Sequence, residues 1–265
     1  AVAGVCAMDY TIEKAKNQGL AMAVVKNGTH FGVAAYYALR AVKKNMIGIA
    51  LTNSVKLMAP FGGYERELGT NPICVAVPGK KAVVYDGATS IAAYNKIMLA
   101  SIEKKAIPKN WAFDNKGYCT TNPEEVVVHG GAVCPFGTYK GYGLAAMVQI
   151  LTGILSGGSS VICDGELRED SDATAYNFMV IDISKFTDLD TFKKTVDLFE
   201  DRLKNSSKRE GIDEIYLPGE IEDLKYKESK KKGIRIHENV VQSLRKIAEN
   251  LEIDFSREIF RKEEN

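Results

Sequence analysis

Pro135-Phe136-Gly137-Thr138-Tyr139-Lys140-Gly141-Tyr142-Gly143-Leu144 opens a strongly apolar segment, and the reading of this stretch decides the fold. Gly141-x-Gly143-x-x-Ala146 satisfies the dinucleotide fingerprint of a doubly wound sheet, and Asp164 follows the short run at 160–163 where a ribose-binding acid would stand. That fold needs a buried strand running into Gly141. Pro135, Gly137, Thr138, Tyr139 and Lys140 make a poor strand, so the Rossmann reading is the weaker one and the stretch reads as a turn opening a helix over 142–155. The Walker pattern fails outright, because no Gly-Lys-Ser/Thr stands at the required spacing.

Working outward, Met8, Ile12 and Ala15 recur at helical spacing over 8–17, Gly19 stops that helix, and 20–26 is a short buried strand. The unit repeats: Val33, Ala34, Tyr37, Ala38, Ala41 and Val42 form an apolar face on a helix over 31–44, and 46–52 is its strand. Residues 57–71, rich in turn formers, read as a functional loop. Two β-like runs, 72–78 and 82–86, flank Gly79-Lys80-Lys81 as a hairpin, which makes antiparallel pairing the expectation. A helix over 91–106 takes Ser90 as its N-cap. Residues 108–123, with the single Trp111, read as irregular; 176–183 is a strand, and Phe192, Val196, Phe199 and Leu203 stripe a helix. A charged stretch at 220–232 precedes an amphipathic helix over 238–253, where Val240, Val241, Leu244, Ile247 and Leu251 need a partner surface. The class is mixed α/β.

Composition narrows the function. Lys+Arg 35 against Asp+Glu 34 leaves +1, so no global field exists to hold a nucleic-acid backbone or an anionic membrane. The five cysteines, Cys6, Cys74, Cys119, Cys134 and Cys163, lack Cys-x-x-Cys spacing and scaffold density, which points to reduced thiols and a cytoplasmic protein. No apolar run approaches the roughly 20 residues of a membrane-spanning helix, and no signal peptide is visible at the first residues.

Chemistry concentrates in turns. His30, in Asn27-Gly28-Thr29-His30-Phe31-Gly32, sits where a strand gives way to a helix, and imidazole suits proton transfer near neutral pH; a capping or packing histidine is the alternative. Gly62-Gly63, Gly69-Thr70-Asn71-Pro72 and Asp86-Gly87-Ala88-Thr89-Ser90 can hold phosphate or ribose at a helix N-terminus, with Asp86 as a ribose acceptor; a capping box without ligand is the alternative. His129 and His237 stand at no metal-ligand spacing from His30, so no metal is expected. A serine-hydrolase elbow is absent.

Thr29-His30-Phe31-Gly32, Thr52-Asn53-Ser54, Gly62-Gly63 with Leu68-Gly69-Thr70-Asn71-Pro72, Asp86-Gly87-Ala88-Thr89-Ser90, Lys140-Gly141-Tyr142-Gly143-Leu144 and Leu217-Pro218-Gly219-Glu220 together resemble the non-Rossmann malate/L-lactate dehydrogenase family. That family also holds ureidoglycolate and sulfolactate dehydrogenases and cyclic imino acid reductases. The resemblance implies a homodimeric oxidoreductase whose NAD or NADP lies on a largely antiparallel or mixed sheet flanked by helices, acting on a small 2-hydroxy or 2-oxo acid, malate first. It implies His30 as the acid–base or nicotinamide-facing residue and Lys140 as a ligand of cofactor or substrate. Ser54, Asn71, Asp86, Ala88, Thr89, Ser90, Gly141 and, more weakly, Gly219 and Glu220 follow as cofactor contacts. Residues 1–220 would be the cofactor-binding sheet domain and 221–265 the helical part of a second domain. The family's upstream Ser-His-Gly motif and following Arg are not in this sequence, so the chain is read as lacking an N-terminal segment, and an inactive cofactor-binding or dimerisation fragment stands as the other class of function.

Overall fold

The computed structural model describes residues 1–158, 160–163, 166–169, 174–234, 236 and 238–255. The chain forms two compact units, Ala1–Glu220 and Ile221–Asn265. The first begins with α1 (Val2–Gln18), β1 (Leu20–Gly28), α2 (Ala34–Val42) and β2 (Met46–Thr52). Met8, Thr11, Ile12 and Ala15 are the buried stripe of α1, and Gly19, at φ 82°, supplies the left-handed residue that ends it. The hairpin strands β3 (Ile73–Val77) and β4 (Val83–Gly87) follow, then α3 (Tyr94–Ile102), β5 (Ala112–Phe113), β6 (Cys119–Thr120), α4 (Pro123–Val127) and β7 (Ala132–Val133). Next come α5 (Tyr139–Gln149), a π-helical turn at Ile150–Ile154, β8 (Ser160–Cys163), β9 (Glu166–Glu169), β10 (Thr174–Asp182) and α6 (Leu189–Lys204).

The main sheet has the order β1-β10-β2-β3-β4 and is antiparallel throughout. The second strand of that order, β10, arrives late in the chain and separates β1 from β2, so the two early helix–strand units do not build a parallel pair. Helices α1 and α2 cover one face, over a core in which Phe31, Tyr37, Tyr176 and Phe178 pack ring to ring. Contact is close there: a Cβ on Gly48 would stand 2.3 Å from the Ala38 carbonyl oxygen, so β2 accepts α2 at this depth only without a side chain. On the other face, α5 and the π-helical turn cross β2 and β10, where Asn177 Nδ2 donates to the Leu151 carbonyl at 2.8 Å. A smaller core of Ile97, Ile107, Ala112, Val126 and Val133 lies under α3, α4 and the three-stranded sheet β6-β5-β7.

Several expectations change. Gly141 and Gly143 both lie inside α5 and no strand runs into them, so the fingerprint is a coincidence of helix sequence; Asp164 and His237 lie outside the described residues. The helix expected over 91–106 covers Tyr94–Ile102, with Ala93 at its N-cap. Ser90 is no cap: its hydroxyl donates to the Ala92 carbonyl at 2.7 Å, and its backbone bridges to Pro135. The irregular stretch at 108–123 holds β5 and β6, two residues each and too short to show a period. The second unit comprises α7 (Glu220–Lys232), whose first residue closes the first unit, and α8 (Glu238–Asn250). Among the described residues no helix is long and apolar enough to cross a membrane.

Candidate active site at one end of the main sheet

The antiparallel register brings the candidate motifs to one rim. Gly28 at the end of β1 pairs with Thr174 at the start of β10, and Thr52 at the end of β2 pairs with Tyr176. Ile73 at the start of β3 pairs with both Leu51 and Gly87. Residues 29–32, 53–54, 69–72 and 88–90 therefore leave the sheet at the same end.

Hydrogen bonds join these segments into one chain. Asp86 Oδ2 accepts the Ala35 N–H at 2.7 Å, which ties the segment leading from His30 into α2 to the end of β4. Asp86 thus serves the positive end of a helix. Thr89 donates both its N–H, at 2.8 Å, and its hydroxyl, at 3.0 Å, to the Thr70 carbonyl. Thr70 N–H donates to Ser54 Oγ at 3.0 Å, and Ser54 N–H donates to Asn71 Oδ1 at 3.1 Å. Asn71 is fully buried, and its Nδ2 reaches across to the Ala145 carbonyl of α5 at 2.9 Å. The Thr89 carbonyl in turn accepts the Phe136 N–H at 3.0 Å. A Cβ on Gly141 would lie 2.3 Å from the Phe136 oxygen and 2.7 Å from the Thr89 oxygen, so the first turn of α5 is pressed against the 88–90 turn. Ala88 occupies that turn, half-buried, between Gly87 and Thr89. Lys140, beside Gly141, is exposed, and its ammonium has no partner among the described residues.

His30 is exposed on the same rim. Its Nδ1 accepts the Gly32 N–H at 3.2 Å, while Nε2 has no hydrogen bond among the described residues. Burial pushes the Cys74 thiol up and the Cys134 thiol up to about 11, so neither is a thiolate at neutral pH and neither suits nucleophilic chemistry.

The family described as malate/L-lactate dehydrogenase matches residues 1–245. The chain belongs to that family. It is 40% identical over 261 residues to the malate dehydrogenase of Pyrococcus horikoshii, covering 96% of this chain and 72% of the relative. The solved sulfolactate dehydrogenase of Methanocaldococcus jannaschii superposes with a TM-score of 0.83 at 39% identity, covering 96% of this chain and 73% of that one. The ureidoglycolate dehydrogenase (NAD(+)) of Escherichia coli is 30% identical over 251 residues, 92% of this chain and 70% of the relative. The protein is an oxidoreductase of the hydroxy-acid dehydrogenase kind.

In this dehydrogenase, Gly219 and Glu220 stand apart from the rim network. Gly219, at φ 93°, lies against Val84 on the edge strand β4, roughly 10 Å back along the strand from Gly87. The Pro218 carbonyl accepts the Val84 N–H at 3.0 Å, so this segment prolongs the sheet edge. Glu220 pairs with Lys204 at 2.7 Å and accepts the Leu217 N–H at 2.9 Å, and the Lys204 bond foremost holds its carboxyl below the usual range. A lowered folded-state pKa gives stability that is present above the unfolded value and lost as pH falls through the folded one. Glu220→Gln should therefore lower the thermal midpoint at neutral pH, with the gap to the parent closing on acidification below the ordinary glutamate range. Midpoints recorded against pH check this; a gap that stays constant would deny the ion pair its role.

Tyr37, Thr174 and Tyr176, whose hydroxyls donate to the Phe31 and Thr29 carbonyls beside His30, carried no signal of those bonds in the sequence: Tyr37 lay on an expected helix face, Tyr176 in an expected strand and Thr174 ahead of it.

Proposed function

We propose that this chain uses NAD or NADP to interconvert a small 2-hydroxy acid and its 2-oxo acid, with malate the first substrate to assay. The observation that carries the reading is the hydrogen-bonded rim, on which motifs scattered from His30 to Gly141 meet beside an exposed imidazole and an exposed ammonium. The donor set fits an anionic dinucleotide: Lys140 stands in the first turn of α5, where the helix presents its positive end. A bound nicotinamide supplies or accepts the hydride. His30 handles the proton at the substrate oxygen through Nε2. Lys140 holds an anion, either the pyrophosphate of the cofactor or the carboxylate of the acid. Ser54, Asn71, Asp86, Ala88, Thr89, Ser90 and Gly141 shape the cradle, because the polar side chains among them bond chiefly to one another and to backbone. Gly219 and Glu220 support the sheet edge beside it.

The naming of an NAD(+)-linked relative supports NAD as the first cofactor to try. The cytoplasm is the proposed compartment, since Cys6, Cys74, Cys119 and Cys134 are free thiols. A homodimer is proposed on the apolar strip of Leu20, Met22, Ile150 and Ile154, each 44 to 53% exposed. Sedimentation giving a single-chain mass at assay concentration would contradict it.

Turnover of reduced cofactor on a panel of 2-oxo acids, cyclic imino acids and ureidoglycolate tests the reading. Cofactor binding with no turnover on any substrate would make the chain a binding or dimerisation module instead. Lys140→Met should raise one KM by about 10- to 100-fold, as the loss of a charge-assisted bond implies, and the KM that moves tells which anion Lys140 holds. Neither KM moving would remove Lys140 from the site.

A further inference from the structure

We infer that Tyr37 and Tyr176, assisted by Thr174, are positioning residues that fix His30 by holding the peptide carbonyls on either side of it. The inference rests on the reading of His30 as the proton carrier. Tyr37 Oη donates to the Phe31 carbonyl at 2.6 Å, while Thr174 Oγ1, at 2.8 Å, and Tyr176 Oη both donate to the Thr29 carbonyl. Both tyrosines are buried, and the Phe31 ring lies between theirs with each centroid 4.8 Å away. Burial also pushes the Tyr37 phenol up, so it remains a donor. Gly28 makes the reach possible: a Cβ there would stand 2.3 Å from Tyr176 Oη. The imidazole itself is exposed, yet the residues before and after it are anchored to Thr174 and Tyr176 of β10 and to Tyr37 of α2. An exposed side chain whose neighbouring carbonyls are both clamped from the core keeps its Cα–Cβ direction without losing access to a ligand. Such control of direction matters for proton transfer, where misplacement by about 1 Å costs up to about 100-fold.

Phenylalanine keeps each ring in its stack and deletes only the hydroxyl, so Tyr37→Phe, Tyr176→Phe and the double variant test the inference in the parent and in His30→Ala. Expected for the double variant is a fall in kcat of about 10- to 100-fold with KM within about twofold. Amide order parameters over 29–32 should drop from about 0.85 towards about 0.6. In His30→Ala the same substitutions should cost no further turnover. Thermal midpoints confirm folding, and either single variant carries the test if the double one does not fold. Equal losses with and without His30, full kcat in the tyrosine variants, or unchanged order parameters would each overturn the positioning role. Full activity in the tyrosine variants beside an inactive His30→Ala would leave the proton-carrier reading standing. Full activity in His30→Ala itself would remove that reading and the clamp's catalytic purpose together.

Discussion

His30→Ala is expected to reduce turnover by about 10²- to 10⁴-fold, the range by which a positioned acid–base group accelerates proton transfer. The substitution is unusually clean. His30 is exposed, and its one side-chain bond is the 3.2 Å acceptor contact from Gly32 N–H, so the core of Phe31, Tyr37 and Tyr176 is untouched. A shift of the thermal midpoint by more than a few degrees would therefore be unexpected, and cofactor affinity should stay near the parent value. The loss belongs to the step in which the substrate oxygen exchanges its proton, so it should appear in kcat and not in cofactor affinity. The Gly32 contact adds a constraint. With Nδ1 accepting from Gly32, Nε2 is the ring nitrogen left to meet a substrate oxygen. At 3.2 Å that bond is longer than those by which Tyr37 and Thr174 hold the neighbouring carbonyls. Turnover equal to the parent across the pH range would place the proton carrier elsewhere.

What could be read from the residues depended on how local the physics was. Turns announce themselves through Gly, Asn and Pro, and the rim is made of turns, so its segments were visible one by one. The hairpin of β3 and β4 was visible for the same reason. The position of β10 was not. Its pairing with both β1 and β2 joins residues more than a hundred positions apart, and nothing in the alternation of Tyr176 and Phe178 names their neighbours. The tyrosine clamp shares that obscurity, because a hydroxyl finds its carbonyl only once the sheet is assembled. Asp86 illustrates a different limit. A carboxylate before a Gly-Ala-Thr-Ser turn suits a ribose and a helix N-terminus equally well, and only the arrival of α2, with Ala35 N–H at 2.7 Å, decides which group it meets here. Ser90 was misread because a serine ahead of an apolar run signals a cap, whereas here the backbone stays extended long enough to bridge Pro135.

Gly141→Ala and Gly143→Ala should separate as sharply as any pair in the chain, and the contrast tests the fold as well as the site. Under a dinucleotide fingerprint both glycines would be needed, the second so that the backbone can approach the pyrophosphate. In the fold found here their situations differ. A methyl at Gly141 would meet backbone on three sides, 2.3 Å from Phe136 O, 2.7 Å from Thr89 O and 2.8 Å from Phe136 N, and none of these atoms can swing away. Relief requires moving the first turn of α5 away from Phe136 and Thr89, which breaks the 2.9 Å bond from Gly141 N–H to the Phe136 carbonyl and displaces Lys140. A cost of about 3 kcal/mol or more is expected, at the upper end for overpacked sites. Gly143 meets nothing within 4 Å and lies inside the same helix, so alanine there should stabilise by about 0.5 to 1 kcal/mol through the lower helix propensity of glycine. Denaturant midpoints of the two variants measure both effects. Comparable damage from the two substitutions would mean that Gly143 faces a ligand or partner backbone, and the helical reading of the 135–144 stretch would need to accommodate it.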